Sequence, residues 1–227
     1  MKKEVCGLIS NICSILNAKN IKETDDVDDI IEYLKWINLK TEYLFKNTVI
    51  DVPKKWLQSK ITEFQYDKLK TQLHVEDMSI IENYYINKTY NGKTEYILDN
   101  DKTPTNEERY KLANILTFQK KHVVWADFGY NIGCEFKGKH PALIMKNIGD
   151  NLIVIPLSSE DLDDTKDYIV KVKKDYVFRL PKIDRWANTH RLMPISIRRI
   201  DFTSPHGDVK KEVIKDILEA IKLAGVK

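Results

Sequence analysis

The sequence has few cysteines and no long apolar run. Its three cysteines are an odd number, and Cys6 and Cys13 lie in a segment with helical periodicity, so we expect small buried residues and no disulfide framework. No apolar stretch approaches the length of a membrane-spanning helix. The apolar residues near the amino terminus are interrupted by Ser10, Asn11 and Ser14, with no cleavage site of small residues. We therefore expect a cytoplasmic protein that does not contact a membrane.

Neither sign of charge is in clear excess. Lysine and arginine number 37 against 34 aspartates and glutamates, and the formal net charge of +3 is too small to identify a nucleic-acid partner. The distribution is uneven, because residues 19–32 are rich in acids and residues 170–211 are rich in lysine and arginine. The basic stretch could form a binding surface or simply a solvated charged face.

The signatures of several chemistries are also missing. The five histidines show no metal-ligand spacing and the cysteines form no C-x-x-C pair, so a zinc site is not expected. The sequence contains no G-x-x-x-x-G-K-S/T loop, no G-x-G-x-x-G loop and no serine-hydrolase elbow. We therefore expect neither a metal nor a cofactor.

Apolar residues before residue 120 recur mainly at helical spacing. The pattern predicts amphipathic helices within residues 5–16 and 27–45. The apolar positions of the second helix alternate in spacings of three and four, which could form a helix-pairing seam or pack within one chain. Pro53 is placed to open another helix that continues through Ile61.

Two local signals predict further elements in this half of the chain. Asn91-Gly92 is a turn pair between two apolar runs and predicts a hairpin near residues 84–98. Thr105 and Glu108 have the spacing of a capping box and predict the start of a helix. These patterns give a mainly helical amino-terminal extension over residues 1–120.

The periodicity changes near residue 120. After it, short β-rich runs are separated by Gly, Pro, Asn and Asp, and five of them predict a small barrel or sandwich. The predicted strands are residues 122–128, 141–147, 152–157, 168–173 and 192–200. An amphipathic face from Val209 to Ile221, with Gly225 placed to stop the helix, predicts a helix packed on this sheet. The fold class is therefore α+β, with a second domain over residues 121–227.

Three pieces of the second half resemble, in order, the MazF/PemK family of toxins. The residues from Val123 to Ile144 contain a strand, a G-x-E-x-x-G loop around Glu135, and His140 directly before Pro141 and the next strand. Residues 152–159 resemble the family's third strand, which ends in Pro-Leu-Ser/Thr-Ser. Residues 197–201, Ile-Arg-Arg-Ile-Asp, resemble its Ile-Arg-Thr-Ile-Asp strand. The resemblance covers roughly residues 122–224.

This resemblance implies a fold and an activity. Members of the family have an SH3-like five-stranded β-barrel, pair as homodimers, and are held inactive by an antitoxin protein. They cut single-stranded RNA without a metal, through attack of the ribose 2′-hydroxyl on the adjacent phosphate that leaves a cyclic phosphate. The reaction needs a group that accepts the 2′ proton, a group that protonates the leaving 5′ oxygen, and donors to the phosphorane oxygens.

The resemblance assigns two catalytic candidates, and the reaction suggests a third. His140 stands where the family has a catalytic arginine. A histidine is the better proton shuttle, but it lacks the planar fork that clamps a phosphate. Ser158 stands where the family places a hydroxyl that contacts the scissile phosphate, although a serine can also satisfy the turn that ends a strand. No residue of 185–191 aligns with a catalytic residue of the family, but Arg191 or His190 could supply the second charged group that the reaction needs.

Six further residues are predicted to contact substrate. Glu135 could orient His140 or tie down its own loop, and Lys139 and Ser159 flank the catalytic candidates. The other three lie in residues 185–191, where an aromatic ring between cations is typical of sites that hold unpaired bases. They are Arg185, Trp186 and His190.

Two readings stay open at this point. Trp186 could equally be a core residue, and Arg198, which matches the family's strand arginine, supports the resemblance without a chemical role. The loss of the catalytic arginine could mark a barrel that has kept RNA or protein binding but not cleavage. The leading prediction is an endoribonuclease, and the alternative is an inactive binding module.

Overall fold

The computed structural model describes residues 10, 14, 31, 33–38, 40, 41, 50–129, 137–163 and 165–225. The chain divides into two compact units, Met1–Asn47 and Thr48–Lys227. Every described residue of the first unit is α-helical, in agreement with the helices predicted there. Within it, Nζ of Lys40 lies 4.9 Å from the centre of the Trp36 ring. The three cysteines lie outside the described residues.

The prediction of a helix that starts at Pro53 and continues through Ile61 is wrong. Pro53 precedes a single 3-10 turn, Lys54–Trp56, after which the backbone is extended at Leu57. The chain then enters strand β1, Lys60–Thr62, whose buried Ile61 pairs with Tyr96. Pairing with β3 therefore holds residues 60–62 in an extended conformation, so a helix cannot continue through Ile61.

The predicted hairpin is present. Strands β2 (Tyr85–Tyr90) and β3 (Lys93–Leu98) pair in antiparallel register around Asn91 and Gly92, whose φ angles are +49° and +73°. Positive φ at both central residues gives the turn a twist that matches the twist of its strands. β1 adds to the other side of β3, giving a three-stranded sheet in the order β1-β3-β2.

Three helices accompany this sheet: α1 (Glu63–Gln72), α2 (Val75–Tyr84) and α3 (Asn106–Leu116). The predicted capping box opens α3, because Oγ1 of Thr105 accepts from the Glu108 amide at 3.3 Å and Oε2 of Glu108 accepts from the Thr105 amide at 2.8 Å. Thr62 and Gln65 form a second capping box at the start of α1. Each box satisfies two amides that a helix start would otherwise leave unpaired.

A second, antiparallel sheet forms a nearly closed β-barrel from residues 122–209. Its order is β7-β9-β6-β5-β4-β11-β8, and β10 also pairs with β6. The strands are β4 (His122–Asp127), β5 (Lys139–Asn147), β6 (Asn151–Ser158), β7 (Ile169–Val172), β8 (Val177–Phe178), β9 (Arg185–Asn188), β10 (Met193–Ser196) and β11 (Gly207–Val209).

The predicted strand count needs correction. All five predicted strands have counterparts, but the barrel sheet of the described residues contains eight strands, of which β8, β9 and β11 were not predicted. The last predicted strand ends early, since Ile197–Arg199 is a 3-10 turn in which Oγ of Ser196 accepts from the Arg198 amide at 3.3 Å. Only Ile200 returns to the sheet, as a bridge to Ala126.

The carboxyl-terminal helix is α4, Lys211–Leu223, and it packs against β7 and the turn at Thr189–Arg191. Gly225 follows it with φ of +69°, as the sequence predicted. Val213 and Ile217 of α4 are buried in a core with residues of the barrel. Across the described part of the chain, every helix is too short or too polar to cross a membrane.

Strand β6 separates two cores. Leu152 and Val154 belong to a core shared with residues 52–118, whereas Ile155 and Leu157 belong to the core under α4. Trp56 fixes the first core, because it is fully buried and its Nε1 donates to the Phe202 carbonyl at 3.0 Å. Residues on both sides of position 120 thus share one core, and a domain boundary at that position stays a prediction.

Candidate active site

The loop that carries the family-like motif has a fixed base. The Phe128 amide donates to the Gly138 carbonyl and the Gly138 amide to the Gly129 carbonyl, each at 2.8 Å. Both glycines have positive φ, +79° and +73°, which residues with a Cβ rarely adopt. Glu135 lies outside the described residues. The base of the loop delivers the chain directly to Lys139 and His140 at the start of β5.

His140 is half-buried and pairs with Ala126 across β4 and β5. Its Nε2 lies 2.9 Å from the Lys137 carbonyl. A carbonyl oxygen only accepts, so Nε2 carries the hydrogen, and in the neutral ring Nδ1 carries the lone pair. The contact with the Lys137 carbonyl thus selects one tautomer of the neutral ring.

Ser158 ends strand β6 and is also half-buried. Its Oγ accepts from the Glu160 amide at 3.0 Å, which is the strand-ending role that serines commonly take. A hydroxyl that accepts in this way still has its own hydrogen to donate. The structural and the chemical use of Ser158 are therefore compatible.

The structure brings His140 and Ser158 to the same end of two neighbouring strands. β5 and β6 are antiparallel with Ala142 opposite Pro156, so extending the register by two residues places His140 opposite Ser158. Ala142 and Val154, which lie on the same strand faces as His140 and Ser158, both belong to the core shared with residues 52–118. The two side chains therefore point to the same face of the sheet.

Lys139 forms an ion pair with Asp201. Burial of Asp201 would raise the pKa of its carboxyl, but hydrogen bonds from Lys139, Thr203 and Ser204 outweigh it and hold this pKa well below the usual range. The Asp201 amide donates to the Trp125 carbonyl at 2.8 Å, so the pair joins the start of β5 to the chain after β10. Lys139 was predicted to bind substrate, and this contact gives it a structural partner.

Arg199 lies next to the base of the loop, which the sequence analysis did not predict. Its Nη1 donates to the Phe128 carbonyl at 3.2 Å, beside the base of the loop. The residue is half-buried, next in sequence to Arg198, which alone matched the motif. The second arginine of the Ile-Arg-Arg-Ile-Asp motif was the sequence feature that could have pointed to Arg199.

Arg185 and Trp186, adjacent in β9, face opposite sides of the sheet. Arg185 is 1% exposed, and its Nη1 donates to the carbonyls of Pro181 and Ile183 at 3.0 and 3.3 Å. Burial lowers the pKa of this guanidinium. Trp186 is 6% exposed and lies directly opposite Ser158. Trp186 thus adjoins Ser158, while Arg185 braces a turn from the interior.

Comparison with known proteins identifies the domain that carries these residues. Residues 119–224 match the family model described as PemK-like, MazF-like toxin of type II toxin-antitoxin system. This part of the chain is similar to the PemK/MazF toxin family and is called the toxin domain below.

Two solved structures match part of the chain. The crystal structure of MazF (Form-I) from Deinococcus radiodurans is 17% identical with a TM-score of 0.36, covering 47% of this chain and 96% of that one. The crystal structure of MazE-MazF (Form-II) from the same organism is 18% identical with a TM-score of 0.31, covering 47% and 95%. No curated protein matches the chain.

His190 and Arg191 lie elsewhere in the toxin domain. They belong to the 3-10 turn Thr189–Arg191 at the far end of β9 from Trp186. The exposed ring of His190 stacks on Tyr168, with centroids 4.1 Å apart. This turn contacts β6, the strand that ends at Ser158, and Ser159 is exposed beside Ser158.

Proposed function

We propose that the toxin domain is an endoribonuclease that cuts single-stranded RNA by metal-independent attack of the ribose 2′-hydroxyl. The observation that carries this proposal is the placement of His140 and Ser158 on one face, at adjoining ends of β5 and β6. A titratable nitrogen beside a hydroxyl donor is the minimum that such a reaction requires.

The proposed reaction gives each of these side chains one task. Nδ1 of His140 accepts the proton of the 2′-hydroxyl as its oxygen forms a bond to phosphorus. The same ring returns the proton to the 5′ oxygen as the P–O5′ bond breaks, leaving a 2′,3′-cyclic phosphate and a 5′-hydroxyl. The Ser158 hydroxyl donates to a phosphorane oxygen, where charge builds up in the transition state. Arg191 stays a prediction as a second cation, since RNA would have to extend along β9 to reach it.

The family likeness supports further proposals about partners. We propose that the domain forms an SH3-like homodimer, works in the cytoplasm and is inhibited by an antitoxin protein. Helical surface of the amino-terminal half would supply dimer or antitoxin contacts. The proposed substrate is single-stranded because bases can be unstacked and splayed out for contact only outside a duplex.

Incubation of the purified protein with single-stranded RNA and EDTA tests the proposal. We expect cleavage products that end in a cyclic phosphate, with a 5′-hydroxyl on the downstream fragment, both identifiable by mass spectrometry. Double-stranded RNA of the same sequence is the matched control and should stay intact. Absence of cleavage with EDTA and with added Mg²⁺ alike would reject the endoribonuclease.

One observation favours a second candidate, an inactive barrel that binds RNA or protein. His140 and Ser158 each contact a neighbouring backbone group, the Lys137 carbonyl and the Glu160 amide. Such contacts would persist in a domain that had lost catalysis. Inducible expression in a bacterium separates the candidates, because a ribonuclease toxin should arrest growth and a binding module should not.

A further inference from the structure

Three side chains form a row across strands β6, β9 and β7. Ser158 lies opposite Trp186, and Trp186 lies opposite Lys171. Residues directly opposite each other in antiparallel strands project to the same face of a sheet. Lys171 therefore projects to the same face as Ser158, two strands away from it.

The alternate residues show which face this is. Leu157, Ala187 and Val170 form the neighbouring row, and all three are buried in the core under α4. Because side chains alternate along a strand, the row of Ser158, Trp186 and Lys171 faces away from that core. It continues the face on which His140 lies.

Lys171 is held in place yet stays accessible. Its Nζ lies 4.9 Å from the centre of the Trp186 ring and 3.6 Å from Oδ2 of Asp184. Its side chain is 34% exposed. Cation–π contacts and surface ion pairs of this kind are individually weak, so an arriving phosphate can compete for the ammonium group.

Arg185 cannot supply the cation at this place. It pairs with Val172, which is buried in the core under α4, and is itself fully buried on that side. The neighbouring strand brings Lys171 instead, over the ring that adjoins Ser158. A positive charge thus accompanies the candidate catalytic pair although the arginine next to Trp186 faces inward.

We propose that Lys171 binds a phosphate of the RNA, and that the RNA crosses the strands from β5 towards β7. This inference rests on the proposed function. Adjacent strands are about 4.8 Å apart, so Lys171 starts roughly 10 Å from Ser158 and contacts a different phosphate from the one that is cut. The Trp186 ring lies between the two residues, and the ammonium group of Lys171 lies over it.

Binding of a labelled oligoribonucleotide tests this assignment. The probe carries 2′-O-methyl groups, which block the proposed attack, so affinity is measured by fluorescence anisotropy without turnover. Lys171→Met should weaken binding about five- to tenfold and lower the slope of log affinity against log salt by about 0.7, the value for one phosphate contact on a single strand. Lys171→Arg keeps the cation and should keep most of the affinity.

Lys215→Met is the matched control, because it removes the same charge from the exposed surface of α4. It should change neither affinity nor slope. Urea unfolding should give the same midpoint for both methionine variants and the wild-type protein, which shows that lost binding is not lost folding.

The possible outcomes distinguish a failure of the Lys171 assignment from a failure of the proposed endoribonuclease function. If the wild-type protein cleaves RNA and Lys171→Met binds with unchanged affinity and salt dependence, Lys171 is not a phosphate ligand and the nuclease stands. A Lys171→Arg variant as weak as Lys171→Met would also overturn the assignment, because charge would then not be what matters. If the wild-type protein neither binds nor cleaves RNA, the proposed function falls and this inference falls with it.

Discussion

The imidazole rings of His122 and His206 share a hydrogen bond, with Nε2 of His122 3.0 Å from Nδ1 of His206. On its other side, Nδ1 of His122 lies 3.0 Å from Oδ1 of Asp208, and Arg179 donates to Oδ2 at 2.5 Å. Burial alone would raise the pKa of Asp208, but the hydrogen bonds and charges of His122 and Arg179 lower it to about 2. The ionised carboxylate only accepts, so Nδ1 of His122 carries a hydrogen.

His206 connects this chain of polar groups to the segment before the barrel. Its ring stacks on Trp56, with centroids 4.0 Å apart and planes 21° from parallel. Burial, followed by the charges of His122 and Arg179, lowers the pKa of His206 to about 4. Asp208 and a hydrogen bond with the Lys55 backbone act in the opposite direction and do not offset this. His206 is therefore neutral in the folded protein near pH 7.

We predict that acidification destabilises the protein through His206. An unfolded histidine binds its proton near pH 6.5, whereas the folded one does so only near pH 4. Between these values the unfolded state holds more protons, so stability is fully present above about pH 6.5 and is lost as the pH falls towards 4. The free energy of unfolding, measured in urea, should decline with a slope of at most about 1.4 kcal/mol per pH unit from this one group.

His206→Gln is the matched variant, because it keeps a donor and an acceptor but cannot titrate. Its unfolding free energy should depend less on pH than that of the wild-type protein between pH 6.5 and 4.5. Asp208 contributes mainly at lower pH, since its ordinary pKa of 3.8 and its folded pKa of about 2 both lie below the range tested. Equal pH dependence of the two proteins would remove His206 from the account.

A second prediction concerns Gly207, where β11 passes close to β8. A Cβ at this position would overlap the Phe178 carbonyl oxygen, which is backbone and cannot rotate away. Gly207→Ala should therefore lower the free energy of unfolding by about 1–3 kcal/mol, the usual cost of overpacking. Gly149→Asn serves as control, because Gly149 has open space around it and its positive φ is one that asparagine tolerates. Equal urea midpoints for Gly207→Ala and the wild-type protein would contradict the prediction.

Local signals predicted the elements whose cause is local. Asn91-Gly92 forms its hairpin, Thr105 and Glu108 form their capping box, and Gly225 follows the last helix, because each depends on a few adjacent residues. Pro53 misled the prediction, since its φ suits a helix but β1 then pairs with β3 across the sheet. Strand pairing between distant segments overrides a local preference.

Long-range pairing also limits what the sequence shows of the site. Strand β9 begins with Arg185, a residue rarely buried, so the motif suggested an exposed patch rather than an inner strand. The ion pair of Lys139 with Asp201 joins residues 62 positions apart, so no periodicity in the sequence indicates it. The resemblance supplied His140 and Ser158, but only the register of β5 and β6 places them on one face.

A third prediction tests the proposed seam of the amino-terminal unit. Leu34 is helical and 42% exposed, so Leu34→Gln should leave folding intact by circular dichroism. If the seam joins two copies, the variant should dissociate at roughly tenfold higher concentration in light scattering, because an apolar contact of about 1.4 kcal/mol is lost. Lys35→Gln, on another side of the helix, should dissociate as the wild-type protein does. A wild-type protein that is monomeric at every concentration would end the dimer proposal.

The last prediction concerns His140, where this sequence departs from the family pattern. His140→Ala should reduce RNA cleavage by at least about a hundredfold, the usual scale of general acid–base catalysis, and leave RNA affinity nearly unchanged. Binding survives because the proton moves only during the reaction. Single-turnover rates and anisotropy on the same RNA measure the two effects separately. His74→Ala is the control, since His74 is exposed, precedes α2 and lies outside the toxin domain.

His140→Arg distinguishes the two ways in which this position could serve the reaction. An arginine remains charged and cannot shuttle a proton, but its fork can clamp a phosphate. A variant that retains a tenth or more of the wild-type rate would mean that charge on the phosphorane matters more than proton transfer at this position. A variant as slow as His140→Ala would assign the proton transfer to the imidazole. Cleavage by His140→Ala at the wild-type rate would exclude His140 from the mechanism and direct the search to His190 and Arg191.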